Sequence, residues 1–250
     1  MYAALAPVYD ALAYDFDYDA WTQKYLELLL QKNESIKEIC DCGCGTGEIA
    51  VRLAKKGFKV TGIDLSGDML GVASDKARKA GVKIPFIRQD MRHLTLPHKQ
   101  DAIICACDGV NYLTSDRAAE EFFASAYKAL KPGGALAFDI SNRAKLLKLA
   151  SDGQYFEDDE ERTYIWQNTF DENKQVLRME ICFFLRQEDG RYIKTRETHL
   201  QRAYKAQEIE AMLKKSGFES ISVFGSDADM GEGADKNRVY FAAVKPKEGI

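Results

Sequence analysis

Three glycines at alternate positions, in the stretch Asp41-Cys42-Gly43-Cys44-Gly45-Thr46-Gly47, constrain the fold of this chain more than any other feature. The run before them, "IKEIC", reads as a buried strand. The run after them, "GEIAVRLAKKG", carries Ile49, Leu53 and Ala54 along one helical face, with Gly57 in a helix-ending position. A glycine-rich turn from strand into helix leaves free N–H groups and the positive end of the helix dipole facing a ligand. It also lets that ligand touch the backbone.

The rest of the chain keeps the same rhythm. "DYDAWTQKYLELLLQ" (17–31) places Trp21, Tyr25, Leu28 and Leu29 at helical spacing ahead of the first strand. "KVTGIDLS", "KIPFIRQD", "QDAIICAC" and "GALAFDIS" read as further strands, separated by the helices "SGDMLGVASDKARKAG" and "SDRAAEEFFASAYKALKPGG". Such alternation predicts an α/β protein, a doubly wound, Rossmann-like parallel sheet with helices on both faces. After residue 150 the pattern changes. "ERTYIWQNTF", "QVLRMEICFFLRQ" and "RYIKTRETHLQRAY" are strand-like runs joined by "DENK" and "EDG", which predicts an inserted antiparallel β meander. The expected division is a core of 1–150 and 203–250 with an insertion at 151–202. The acidic run "EDDEE" (157–161) reads as a solvated loop.

Spacing narrows the ligand. A dinucleotide loop needs G-x-G-x-x-G, whereas here the third glycine comes one residue early and Glu48 follows it. A carboxylate in the first helical turn repels a pyrophosphate, and no G-x-x-x-x-G-K-[ST] exists in the chain. The pattern points to a nucleoside without phosphates. Asp64 ends the second strand about twenty residues after the loop, where a carboxylate can accept hydrogen bonds from both ribose hydroxyls. Asp90 ends the third strand, placed to accept an adenine amino group while Met91 offers its N–H. Asp41, Asp64 and Asp90 therefore stand together at the carboxyl edge of the sheet, where ligands of such folds bind.

With "DCGCGTG", "GIDLSGDML", "QDMR" and "LKPGG" in this order, the chain resembles the class I S-adenosylmethionine-dependent methyltransferases over nearly its whole length except the meander. The resemblance implies S-adenosylmethionine as cofactor, with Gly43 and Gly45 holding its methionine part, Asp64 and Leu65 its ribose, Asp90 and Met91 its adenine, and Met69 packed near the purine. Cys44 in the loop and Cys107 after the fourth strand are expected to border it. Within the class, "PVYDAL", "CDGVNYL", the meander and "THLQRAY" look like the sugar-amine N-methyltransferases. That likeness implies that the N-terminal segment and the meander close over the site, with Tyr18 and Trp21 as lid residues. Asp108, Asn111 and Tyr112 would lie beside the transferred methyl.

Other residues read two ways. His199 is either a satisfied strand histidine or an acceptor contact and general base. Arg202 and Tyr204 share a strand face, and either line the pocket or form a structural ion pair. Tyr9, Tyr14 and Tyr18 either anchor the N-terminal segment or serve the site. The six cysteines lack the paired C-x-x-C spacing of metal fingers, so no metal is expected, and reduced thiols fit a cytoplasmic protein. A net charge of −4 disfavours a standing nucleic-acid surface. "CACDGVNYL" lacks the Asn/Asp-Pro-Pro-aromatic motif of base-amine enzymes, and no cysteine follows a proline as in pyrimidine C5 enzymes. The N-terminus has no basic start and soon meets four aspartates, unlike a signal peptide, and no apolar run reaches the length of a membrane span. The expected function is methyl transfer to a small-molecule acceptor, an amine ahead of a hydroxyl. A non-catalytic cofactor-binding sensor or partner subunit comes second, and an RNA-modifying methyltransferase third.

Overall fold

The computed structural model describes residues 6, 9–12, 16–225 and 237–247. A short helix α1 (Tyr9–Leu12) and a longer α2 (Tyr18–Leu30) lead in. Strands and helices then alternate as β1 (Glu38–Cys42), α3 (Glu48–Lys55), β2 (Lys59–Asp64), α4 (Gly67–Lys79), β3 (Phe86–Arg88), β4 (Gln100–Cys105), α5 (Asp116–Ala129) and β5 (Leu130–Ser141). Next come α6 (Arg143–Asp152), β6 (Gln154–Asp158), β7 (Arg162–Asp171), β8 (Val176–Arg186) and β9 (Tyr192–Arg202). The chain closes with α7 (Ala206–Lys215), β10 (Glu219–Phe224) and β11 (Arg238–Val244). Helix starts are set by side chains: Asp17, Ser66, Ser115 and Asn142 each accept a first-turn N–H of α2, α4, α5 and α6.

Seven strands form one sheet in the order β10-β11-β5-β4-β1-β2-β3. Strands β1 to β5 run parallel, while β11 lies antiparallel beside β5 and β10 antiparallel beside β11. Ile39 of β1 pairs with Val60 on one side and Ala102 on the other, so strand order reverses at β1. The glycine turn leaves the sheet at that switch point. Both faces are covered, which is why these strands read as nearly continuous apolar runs. On one face Cys40, Cys42, Ile103 and Phe138 pack with Phe122 and Phe123 of α5 and Ile209 and Leu213 of α7. On the other, Ile39, Ala102 and Ile104 pack with Tyr25 and Leu29 of α2 and Leu53 of α3. The doubly wound sheet is as expected from sequence.

The second sheet is antiparallel, in the order β6-β7-β8-β9. Along β8, Leu177, Met179, Ile181 and Phe183 are buried and alternate with exposed Arg178 and Glu180. Two elements here escape the sequence reading. Helix α6 buries only Leu146 and so carries little periodic signal, yet Leu146 packs with Leu177, Met179 and Ala203. Strand β6 takes Glu157 and Asp158 from the acidic run, which corrects its reading as a loop throughout. Only its remainder turns, with Asp159 Oδ1 accepting from Glu161 N and Arg162 N at 2.8 Å each. Edge strands tolerate such charge. Among the described residues, no helix is long and apolar enough to cross a membrane.

Candidate active site

The turn between β1 and α3 is built from left-handed glycines: φ is +70° at Gly43, +52° at Gly45 and +77° at Gly47. Gly43 N and Cys44 N donate to Ile63 O at 2.7 and 2.9 Å, which ties the turn to the end of β2. Gly45 N donates to Asp64 Oδ2 at 2.9 Å, and Ser66 N donates to Asp64 Oδ1 at 2.8 Å. A Cβ built on Gly45 would meet nothing within 4 Å, so its backbone is open to a ligand. At Gly47 the need is packing instead, because a Cβ there would come 2.9 Å from that of Ala73 on α4.

In front of the turn lies a cavity of about 640 Å3, within the usual range for small-molecule sites. It brings together Tyr18, Gly43, Gly45, Asp64, Leu65, Met69, Asp90, Met91, Cys107, Asp108 and Tyr112 from the sequence reading. Burial raises the Asp64 carboxyl, opposed by the N–H groups of Ser66 and Gly45. Arg92, donating from Nε at 3.0 Å and Nη2 at 2.5 Å, holds Asp90 low. Burial pushes the Cys107 thiol and the Tyr9 and Tyr18 hydroxyls up, so all three stay neutral at physiological pH.

Six expected residues fall outside this cavity, each for a visible reason. Asp41 is buried behind the turn, where Oδ2 finds no hydrogen-bond partner among the described residues; burial first, then the Asp64 carboxylate, push its pKa to about 7. Cys44 turns its sulfur toward Gly62 in the sheet. Trp21 lies beneath Phe16, ring centroids 4.7 Å apart, and Phe16 takes the lining position. Asn111 is fully buried and spends its amide on backbone: Nδ2 donates to Ser141 O at 3.0 Å and Arg202 O at 2.8 Å, while Oδ1 accepts from Ser141 N at 2.9 Å. It clamps β5 to β9 and cannot contact a reacting methyl. His199 sits on the inner face of β9, edge-on to Tyr112 and 3.2 Å from a Glu197 oxygen. Arg202 pairs with Asp116 at 2.7 Å and covers the Tyr204 ring.

At the far end of the cavity the structure surrounds Asp108 with groups that the sequence reading missed: Arg238, Asp139 and Gln201. Asp108, in the left-handed region at φ +54°, accepts from Gln201 Nε2 at 2.8 Å and pairs with Arg238 through Oδ1. Arg238 Nη1 also reaches Asp139 Oδ2 at 2.5 Å, and its guanidinium lies 4.6 Å over the Trp21 ring. Asp139 further accepts from the Tyr25 hydroxyl and from Asp108 N at 3.1 Å. Burial opposes ionisation of Asp108, yet Arg238 and Lys145 hold it low. Burial and Asp108 raise Asp139, while Arg238 and Tyr25 hold it down. One signal was legible: Asp139 is a lone acid inside the otherwise apolar "ALAFDI".

The N-terminal segment is strapped to the turn. Thr46 Oγ1 and Lys76 Nζ both donate to Asp10 at 2.7 Å, Lys76 also pairs with Glu48 at 2.5 Å, Glu48 pairs with Arg52, and Arg52 pairs with Asp19 at 2.9 Å. Tyr9 and Phe16, which bracket this strap, line the cavity; Tyr14 lies outside the described residues.

Comparison with known proteins agrees with this geometry. Residues 39–134 match a family model described as a methyltransferase domain. The chain is 38% identical to a putative methyltransferase, YqeM, of Bacillus subtilis (strain 168), over 99% of this chain and 98% of that protein. The crystal structure of an S-adenosylmethionine-dependent methyltransferase from Clostridium acetobutylicum ATCC 824 superposes with a TM-score of 0.82 at 29% identity, covering 99% of each chain. The sugar N-methyltransferase KedS8 from Streptoalloteichus sp ATCC 53650 shares the fold with a TM-score of 0.75 at 18% identity, over 96% of this chain and 93% of that one. A glycine turn at the switch point, an acid closing the next strand and these relatives lead to one conclusion: the chain belongs to the class I S-adenosylmethionine-dependent methyltransferases.

Proposed function

We propose that this methyltransferase acts on the nitrogen of a small-molecule amine. One observation carries the choice: beside Asp108, away from the Asp64 and Asp90 carboxylates, no described lining side chain is set up as a general base. Among the described residues no His or Lys lines the cavity, both Asp108 oxygens are engaged by Gln201 and Arg238, and the Tyr9, Tyr18 and Cys107 protons are held by burial. A hydroxyl acceptor needs such a base or a metal, whereas a neutral amine needs only alignment. The fold shared with a sugar N-methyltransferase and with CalS10, an amino pentose methyltransferase, supports the same reading.

The residues present fit the cofactor. The bare Gly45 backbone leaves room for its methionine part, and the Asp64 carboxylate lines the same cavity. In this reading Asp64 and Leu65 hold the ribose, Met69 and Met91 flank the adenine, and Asp90 takes its amino group. The cofactor supplies, when bound, an electrophilic methyl on a positively charged sulfur. Cys107 and Asp108 border that sulfur, and Tyr112, Thr198 and Leu200 meet the acceptor. The four-stranded sheet acts as lid together with α6, so its hinge lies near Asn142 rather than residue 151. The unpaired cysteines suit the cytoplasm.

Incubation with labelled cofactor and a panel of matched amines and alcohols tests the acceptor class. Transfer to amines alone is expected. Comparable transfer to alcohols would sink the proposal.

A further inference from the structure

We propose that the solvent-facing side of the four-stranded sheet docks a second copy of this chain, face to face, about a two-fold axis that runs along the strands between β7 and β8. Alternation along each strand sets which residues share this side. Leu177, Met179, Ile181 and Phe183 of β8 point inward and are buried, so Cys182 and Phe184 point out. None of the outward positions on the four strands is buried. An antiparallel sheet can leave one face to water, but this face is not purely polar. Phe156 of β6 is 78% exposed, and it stands beside Ile165 of β7, which stands beside Cys182. A run of exposed apolar groups of this kind marks an interaction surface.

Pairing across the sheet places the outward residues in rows, and two rows are complementary to their own reversal. From β6 to β9, one row reads Phe156, Ile165, Cys182, Arg196, and the next reads Asp158, Thr163, Phe184, Lys194. A two-fold axis along the strands reverses each row onto its own copy. Phe156 of one copy then meets Arg196 of the other, a ring on a guanidinium, and Asp158 meets Lys194, a carboxylate on an ammonium. Symmetry makes each contact twice. Nearest the axis, Ile165 lies against Cys182. Twisted sheets pack face to face at about −30°, so register is kept best at that centre. The charges are available for this. Lys194 lies 5.3 Å over the Phe184 ring with its side chain exposed, and Asp158 gives Oδ1 to the Thr163 hydroxyl but keeps Oδ2. Glu180 on the same side is paired with Arg178 at 2.9 Å.

Size sets the strength. Four strands about 4.8 Å apart and about ten residues long, at about 3.3 Å each, present roughly 600 Å2 per copy. That is at the low end for a specific interface, so a dimer with a Kd on the order of 10 μM is expected. The cavity stays open in such a dimer. Thr198 and Leu200 line it from the β9 side of the same face. Strand β6 starts at Gln154, in the row of Thr198 and one outward row short of Leu200, so the reversed copy sets no β6 residue over Leu200.

Sedimentation equilibrium of the whole chain from about 1 to 100 μM tests the docking. Wild type should pass from monomer to dimer across that range; a monomer throughout overturns the proposal. Asp158→Lys sets ammonium against ammonium twice, and should weaken the dimer about ten-fold or more. Adding Lys194→Asp to it should restore the dimer to within about three-fold of wild type. A dimer indifferent to the first change, or not restored by the second, overturns the register and the proposal with it. Both positions are exposed, and melting curves check the fold. Should either variant fail to fold, Phe156→Arg breaks the neighbouring contact by opposing Arg196, and an undiminished dimer again overturns the proposal. Cys182 gives a readout without mutation. Its alkylation, followed by peptide mass mapping, should slow about three-fold between the dilute and concentrated protein, and equal rates would also overturn the docking.

Discussion

The two ends of the cavity are built on different principles. The glycine-turn end is local: Gly43, Gly45, Asp64 and Leu65 follow two neighbouring strands, and the backbone N–H groups of Gly45 and Ser66 hold the Asp64 carboxylate. The far end is assembled from side chains of five separate elements, with Asp108 after β4, Asp139 on β5, Arg238 on β11, Trp21 and Tyr25 on α2, and Gln201 on β9. A backbone-built end survives wide sequence change so long as glycine and one acid persist. A side-chain-built end depends on charges balancing in the interior, and so is where stability and specificity meet.

The sharpest way to break that contrast is at Arg238. Arg238→Met strands two buried carboxylates, and should cost ~3–5 kcal/mol of stability, read as a fall in Tm of the unliganded protein. A loss below about 1 kcal/mol would mean that the far end is not held together by charge.

Next in size is Asp41, behind the cofactor end. Its pKa of about 7 lies above that of an unfolded aspartate, so between pH 4 and 7 the native state binds a proton that the unfolded chain has lost. Its contribution is therefore fully present at low pH and lost as pH rises through 7. Asp41→Asn, neutral at every pH, should match wild type near pH 4 and exceed it at pH 8 by roughly 2–4 kcal/mol. Parallel Tm profiles for the two proteins would show that Asp41 is not the group responsible.

Cofactor affinity comes third. Asp64→Ala removes charge-assisted acceptors and should weaken cofactor binding roughly ten-fold or more. Undiminished affinity would remove Asp64 from the ribose. The smallest effect belongs to the strap. Asp10 is partly exposed, so Asp10→Asn should speed cofactor release only about two- to three-fold, and rising salt should do the same to wild type. Stopped-flow displacement of labelled cofactor reads both, and a salt-independent release rate would argue that the N-terminal segment is held by packing alone.

The same contrast explains what could be read from the chain alone. The glycine turn, the alternation of strands and helices and the placing of Asp64, Asp90 and Met91 at strand ends follow from periodicity and short spacing, because each depends on residues within one strand–turn–helix unit, whereas Met69 came only from the family resemblance. Helix α6 stayed hidden, since a helix that buries one leucine against another sheet has almost no pattern of its own. Asn111 and His199 look reactive in isolation. Only the fold shows one consumed by backbone and the other on the wrong face of its strand.

What the sequence by itself determined, then, was the doubly wound α/β sheet and the glycine turn from its first strand, encoded by local geometry that every strand-to-helix turn must obey. Tertiary structure alone decided which charges meet. Arg238 lies 130 residues from Asp108 and 99 from Asp139, and no short-range rule records a partnership that exists only because burial makes an unpaired charge too costly to leave alone.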